Sequence, residues 1–185
     1  DFFHSRRYFE GFGKDLKERI ENGLGVFLPK GFEGDVYFVS AWSHDPQLEP
    51  FEFEYGKVGF FHVGKLARFF VQETKVVVLH GNELHNGVIG GGISWLFQNL
   101  GMPLPLERLG KAKFHIDEDT WFLAGHSHVP ALHQESRTAN TGSFVGAPLN
   151  DLIFRIPIGT GIMMENGEAK LVHFTTPPSS KIYWF

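Results

Sequence analysis

Three segments of this chain place histidine just past a run of apolar residues. Residues 36–40 (Val-Tyr-Phe-Val-Ser) lead through Ala41 and Trp42 into Ser43-His44-Asp45-Pro46. Residues 76–79 (Val-Val-Val-Leu) run into His80-Gly81-Asn82-Glu83, and residues 120–124 (Thr-Trp-Phe-Leu-Ala) into Gly125-His126-Ser127-His128. Imidazole ligates borderline divalent metals and moves protons near neutral pH. On an extended segment, histidines at i and i+2 project to the same side, so His126 and His128 suit one metal centre or two adjacent ones. Gly125 lets the backbone approach a ligand closely. Asp45 beside His44 is placed to orient that ring and set its tautomer. Taken singly, each histidine is equally a capping or turn residue, and H-x-H alone is a weak metal signal.

Composition narrows the chemistry. The chain has 185 residues, no Cys and ten His, which excludes a disulfide framework, a thiolate zinc site and a cysteine nucleophile. With imidazole the only nitrogen or sulfur ligand in number, a hard or borderline metal held by imidazole and carboxylate is the expectation. A net charge of −4 lacks the electrostatic footprint of a general nucleic-acid binder. No run of apolar residues reaches the ~18 that a membrane span needs, and no secretory signal opens the sequence, so a cytoplasmic protein is expected. Twenty Phe point to a bulky core or an aromatic surface.

The elements that would position these residues are legible in outline. Phe9, Phe12, Leu16 and Ile20 carry helical spacing over residues 6–21, punctuated by Gly23 and Gly25. Strands are expected at 36–40, 76–79 and 120–124, and a strand pair over 51–61 around Tyr55-Gly56. Residues 86–100 form an apolar helix rich in glycine. Residues 138–144 contain the turn Asn140-Thr141-Gly142-Ser143. Strands at 152–158, 161–165 and 169–174 close the chain, the last two joined by Asn166-Gly167. One domain over 1–174 and a tail over 175–185 are expected, in the α/β or α+β class. Histidines clustered at strand ends are how α/β sheets build sites.

The order of these segments resembles the calcineurin-like metallophosphoesterases. That family carries five blocks: D-x-H, G-D-x-x-(D/H), G-N-H-(D/E), H-(G) and G-H-x-H. Gly125-His126-Ser127-His128 matches the fifth, and Asn140-Thr141-Gly142-Ser143 resembles the N-x-G-S turn that follows it. His80-Gly81 looks like the fourth. Ser43-His44-Asp45-Pro46 looks like the third, with Trp42 and Ser43 where Gly and Asn are expected. Asp1-Phe2-Phe3-His4 looks like the second, starting at its Asp. No D-x-H precedes Asp1 in the sequence, so the expectation is a family member cut within its second block.

The resemblance implies a fold of two mixed β-sheets in a sandwich flanked by helices, its N-terminal strand missing. It implies a phosphoester hydrolase, phosphodiesterase or phosphatase, using two divalent ions to neutralise the phosphoryl oxygens and activate a water. The ions would be Mn²⁺ first, with Fe or Zn²⁺ as alternatives. By carry-over Asp1 bridges the two metals, His80 and His126 bind one and His128 the other. His44 protonates the leaving group or stabilises the transition-state charge, with Asp45 or a backbone group holding its ring. Asn82 and His85, past His80, are candidates for substrate contact. The expected substrate is a small phosphoester, lipid-linked or nucleotide, with no sequence-specific nucleic-acid binding; a homo-oligomer stays open. Residues 87–100 are either a helix buried on several sides or an apolar cap over the site. Arg6-Arg7 read as a solvated pair, and His4, His62, His115, His133 and His173 as structural or surface residues. The rival reading is an impaired scaffold or a phosphate- or nucleotide-binding module. With the first block missing and Ser43 a weaker ligand than Asn, the chain as written is expected to be a poor enzyme.

Overall fold

The computed structural model describes residues 10–28, 30–41, 49–84, 87–142 and 159–173. The expectations for Asp1, His4, Arg6-Arg7, Ser43-His44-Asp45-Pro46, His85, the strand at 152–158 and the tail lie outside them. The chain divides into two compact units, Asp1–Ala67 and Arg68–Phe185. Its class is α/β with mixed sheets.

In the first unit, helix α1 (Leu16–Phe27) begins later than its spacing suggests, because Asp15 supplies the cap. Asp15 Oδ1 accepts the Glu18 N–H at 2.9 Å, and Glu18 Oε2 accepts the Lys14 N–H at 2.7 Å, a near-reciprocal pair that satisfies two N-terminal donors. Gly23 and Gly25 do not end the helix: Ile20 and Leu24 are fully buried against Phe38 and Phe60, and that packing outweighs glycine's low propensity. The sheet is β1 (Gly34–Phe38), β3 (Val58–His62) and β2 (Phe51–Tyr55) in that spatial order. β1 runs parallel to β3, and β2 returns antiparallel to β3 after the turn at Gly56, as the Tyr55-Gly56 signal predicts. His62 is buried between the Phe38 and Phe51 rings. Its Nδ1 lies 3.0 Å from the Glu49 carbonyl, which can only accept, so Nδ1 carries a proton, and its Nε2 lies 3.2 Å from the Ser40 hydroxyl. His62 is structural, as read from the sequence.

In the second unit five strands lie in the order β4 (Leu66–Val71), β5 (Thr74–Leu79), β6 (Trp121–Ala124), β8 (Thr138–Asn140), β7 (Ala131–His133). β5, β6 and β8 are mutually parallel, with Val76 opposite Trp121 and Phe122 opposite Thr138, and β7 is antiparallel to β8. The hairpin β9 (Thr160–Glu165) and β10 (Glu168–His173) turns at Asn166-Gly167, as expected. Its Ala169, Ile162 and Met164 pack with Val76, Trp121, Leu123 and Ala139 on one sheet face.

Two helices lie in the connection from β5 to β6. Helix α2 (Gly87–Asn99) corresponds to the expected apolar helix, but its large side chains are not buried on all sides. Gly90, Gly91 and Ser94 face inward, and a Cβ on Gly91 would stand 3.0 Å from the Ser127 carbonyl. Ile89, Ile93 and Leu96 are exposed. Gly91 stands there because only a residue without a Cβ lets the Ser127 backbone so close. Helix α3 (Pro105–Lys113) was not read from the sequence, nor were β4 and β7. Its buried stripe is Glu107, Gly110 and Lys111, while Leu109 is exposed. Lys111 Nζ donates to the carbonyls of Thr120 at 2.7 Å, Ser136 at 2.8 Å and Glu118 at 3.0 Å, using all three ammonium hydrogens. Lys111→Met should leave three carbonyls short of a partner. Each such group costs about 1 kcal/mol or more, so a loss of about 3 kcal/mol is expected from urea unfolding followed by tryptophan fluorescence.

Candidate functional site

The site forms where the three parallel strands of the second unit end. β5 ends at Leu79, β6 at Ala124 and β8 at Asn140, and backbone bonds continue the pairing one step past each strand. The Gly125 N–H donates to the His80 carbonyl at 2.9 Å, and the Thr141 N–H to the Ala124 carbonyl at 2.9 Å. His80, residues 125–128 and residues 140–142 are thereby held side by side at the carboxyl edge of one sheet, where α/β proteins bind ligands.

His80 and His126 meet there, with ring centroids 4.9 Å apart and planes at 59°. Gly81 (φ +113°) makes room: a Cβ on it would press to 3.2 Å from the His126 Cβ. Imidazole nitrogens about 2.1 Å from one ion put the ring centroids about 3.2 Å from it, so two ligands at ordinary angles lie about 4.5–5.2 Å apart. The observed spacing fits two imidazoles on one ion. Among the described residues, no group of three or more His, Asp or Glu side chains is gathered closely enough to hold a metal ion. Asp1, His44, Asp45 and His85 lie outside those residues. Asn82 lies in the turn just past His80, half-buried, and His128 is half-buried two residues beyond His126.

The loop geometry departs from the sequence argument. Residues 125–128 are not extended, so the alternation of a strand does not place His126 and His128. His126 has φ +50° and His128 φ +58°, and the Ser127 N–H donates back to the Gly125 carbonyl at 2.6 Å, closing a γ-turn around His126. The left-handed region costs a non-glycine residue about 1–2 kcal/mol, and such strain persists only where the surroundings impose it.

Asn140, fully buried on β8, bonds to that loop. Its Nδ2 lies 2.6 Å from the Gly125 carbonyl, 2.8 Å from Ser127 Oγ and 2.6 Å from Glu107 Oε1. Two N–H hydrogens serve three acceptors, so one is shared. Its Oδ1 accepts the Gly142 N–H at 2.9 Å, which forms the turn seen as Asn140-Thr141-Gly142. Gly142 (φ +72°) is obligatory: a Cβ would collide with Thr160 Oγ1. Ser127 Oγ also accepts the Val129 N–H at 3.3 Å. Glu107, on α3, is 1% exposed, and its Oε2 has no hydrogen-bond partner among the described residues. Burial pushes its carboxyl pKa up, and the Asn140 hydrogen bond offsets part of that. The Asn-x-Gly turn announced Asn140 in the sequence. Glu107 carries no signal, since it stands in an ordinary Leu-Glu-Arg-Leu run. No model of a known protein family and no curated protein matches the chain.

The raised pKa of Glu107 fixes the sign of a pH effect. Where the folded carboxyl holds its proton and the unfolded one has lost it, the folded state binds more protons, so stability falls as pH rises. The fall begins near the ordinary Glu value of about 4.3 and ends once pH has passed the raised folded value. Glu107→Gln keeps an oxygen for Asn140 and removes the titration. Its melting temperature relative to the native chain should therefore rise with pH above about 4.3, measured by scanning calorimetry from pH 4 to pH 8.

Proposed function

We propose that the chain is a metal-dependent phosphoester hydrolase of the calcineurin-like class, acting as a phosphodiesterase or phosphatase. One observation carries the reading: parallel pairing of β5 and β6 brings His80 and His126 to a centroid distance of 4.9 Å at the carboxyl edge of the sheet. It is supported by a strained loop that presents two histidines at the same edge.

His80 and His126 would hold one divalent ion and His128 a second, Asp1 would serve both, and the second would still lack its Asp-x-His ligands. Mn²⁺ suits this mixed imidazole and carboxylate set, with Fe or Zn²⁺ as alternatives. Bound metal supplies neutralisation of the phosphoryl oxygens and an activated water. His44 gives a proton to the leaving oxygen, Asp45 fixes its ring, and Asn82 and His85 contact the substrate. The substrate is a small phosphoester, lipid-linked or nucleotide in character.

The test is bound-metal analysis and hydrolysis of an aryl phosphate and its diester with excess Mn²⁺. It is run on the 185-residue chain and on a form extended upstream by a strand ending in Asp-x-His. Mn²⁺-dependent turnover, greater in the extended form, is expected, and His80→Ala and His126→Ala should lose metal and turnover together. His44→Ala should keep the metal and lower turnover by about 10²–10⁴-fold. Phosphate binding without turnover in both forms would make the chain a binding module. No metal uptake in either form would overturn the reading altogether.

A further inference from the structure

Resting on that reading of residues 125–128 as a ligand loop, we infer that Asn140 is a positioning residue for His126 and His128, and that Glu107 is its anchor. β8 is already held by its backbone pairing to β6 and β7, so the strand does not need the Asn140 side chain. That side chain instead spends its donors outside its own strand: two of the three acceptors lie in the 125–128 loop, and the third is the buried Glu107. Gly125 and Ser127 flank His126, and Ser127 and Val129, joined by the Ser127 hydroxyl, flank His128. The two contacts thus fix the backbone on both sides of each left-handed histidine. Both histidines hold a positive φ, which is uncommon for a residue with a Cβ.

Glu107 sets where Asn140 points. With Oε1 at 2.6 Å, the carboxyl holds the amide in the orientation that presents Nδ2, not Oδ1, to Gly125. Reversing the amide would set oxygen against oxygen at both Glu107 and Gly125. The other face of the amide is fixed by the Gly142 N–H on Oδ1. An acid on α3, distant in sequence from either histidine, thereby controls the geometry of the edge where they meet. What Glu107 contributes is an acceptor oxygen, so glutamine replaces it and alanine does not.

The experiment compares Asn140→Ala, the isosteric Asn140→Asp, Glu107→Gln and Glu107→Ala with the native chain, below the unfolding midpoint of each. Co²⁺ affinity by titration calorimetry and the Co²⁺ visible absorption spectrum are the readouts. Supporting residues around metal ligands typically change affinity by about 10–100-fold, and that loss with an altered spectrum is expected for both Asn140 variants. Glu107→Gln should match the native chain, and Glu107→Ala should fall between. Folded Asn140 variants with native affinity and spectrum would overturn the inference, as would a Glu107→Gln as weak as Glu107→Ala. If neither Asn140 variant folds, the contrast between the two Glu107 variants decides. If the native chain takes up no Co²⁺, the functional reading fails, and amide exchange decides the positioning role by itself. Exchange at Ser127 and Val129 faster by about tenfold, confined to that loop, sustains it; unchanged exchange overturns it.

Discussion

The level ending of three parallel strands governs the second unit. Because β5, β6 and β8 run in one direction, their carboxyl ends fall on one edge, and the bonds from Gly125 to His80 and from Thr141 to Ala124 carry the register just beyond them. Antiparallel neighbours would send successive loops to opposite edges. Parallel strands need long crossovers, and the 41 residues between Leu79 and Trp121 provide one that holds both α2 and α3. The same constraint that collects His80, His126 and Asn140 therefore also delivers the helix that carries Glu107.

Polar side chains on α3 reach both ends of β6. Glu107 and Lys111 are one turn apart on α3, both buried, and each is satisfied differently. Lys111 gives its three hydrogens to three loop carbonyls and ties the helix to the segments around β6 and β7. Glu107 accepts from the Asn140 amide and from its own backbone N–H, and burial keeps its pKa high. A buried charge without full compensation is expensive, whereas a neutral carboxyl that accepts one good hydrogen bond is tolerable. Glycine recurs where these parts touch. Gly81 admits His126, Gly91 admits the Ser127 carbonyl, and Gly110 admits Leu84 against Phe122. Glycine lets a neighbour come close on each helix: the Ser127 backbone at α2, and the Leu84 and Phe122 side chains at α3.

Much of this was legible in one dimension. β-branched and aromatic runs with turn signals announced β1, β5, β6 and the two hairpins at Gly56 and Gly167, because local sterics and, for β6, burial on both faces write themselves into composition. The placement of histidine after such runs was equally plain. Helix α3 was not, because its buried stripe is Glu107, Gly110 and Lys111 and its Leu109 faces solvent, the reverse of an amphipathic pattern. The helix start at Asp15 was displaced by a cap whose energy is local, and its continuation through Gly23 and Gly25 by packing, which is not.

The sequence alone determined which side chains are available for chemistry: histidines at strand ends, no thiol, an Asn-x-Gly turn and the type of element before each. Tertiary structure decided which of them meet. His80 and His126 are 46 positions apart and touch because two strands are parallel and in register. His126 and His128 are placed by a left-handed turn rather than by strand alternation, in a loop that hydrogen bonds tie to a third strand. Periodicity records which face of an element is buried. It holds no record of the partner across the interface, and both the partnering of Glu107 with Asn140 and the shape of the loop they hold are facts of that second kind.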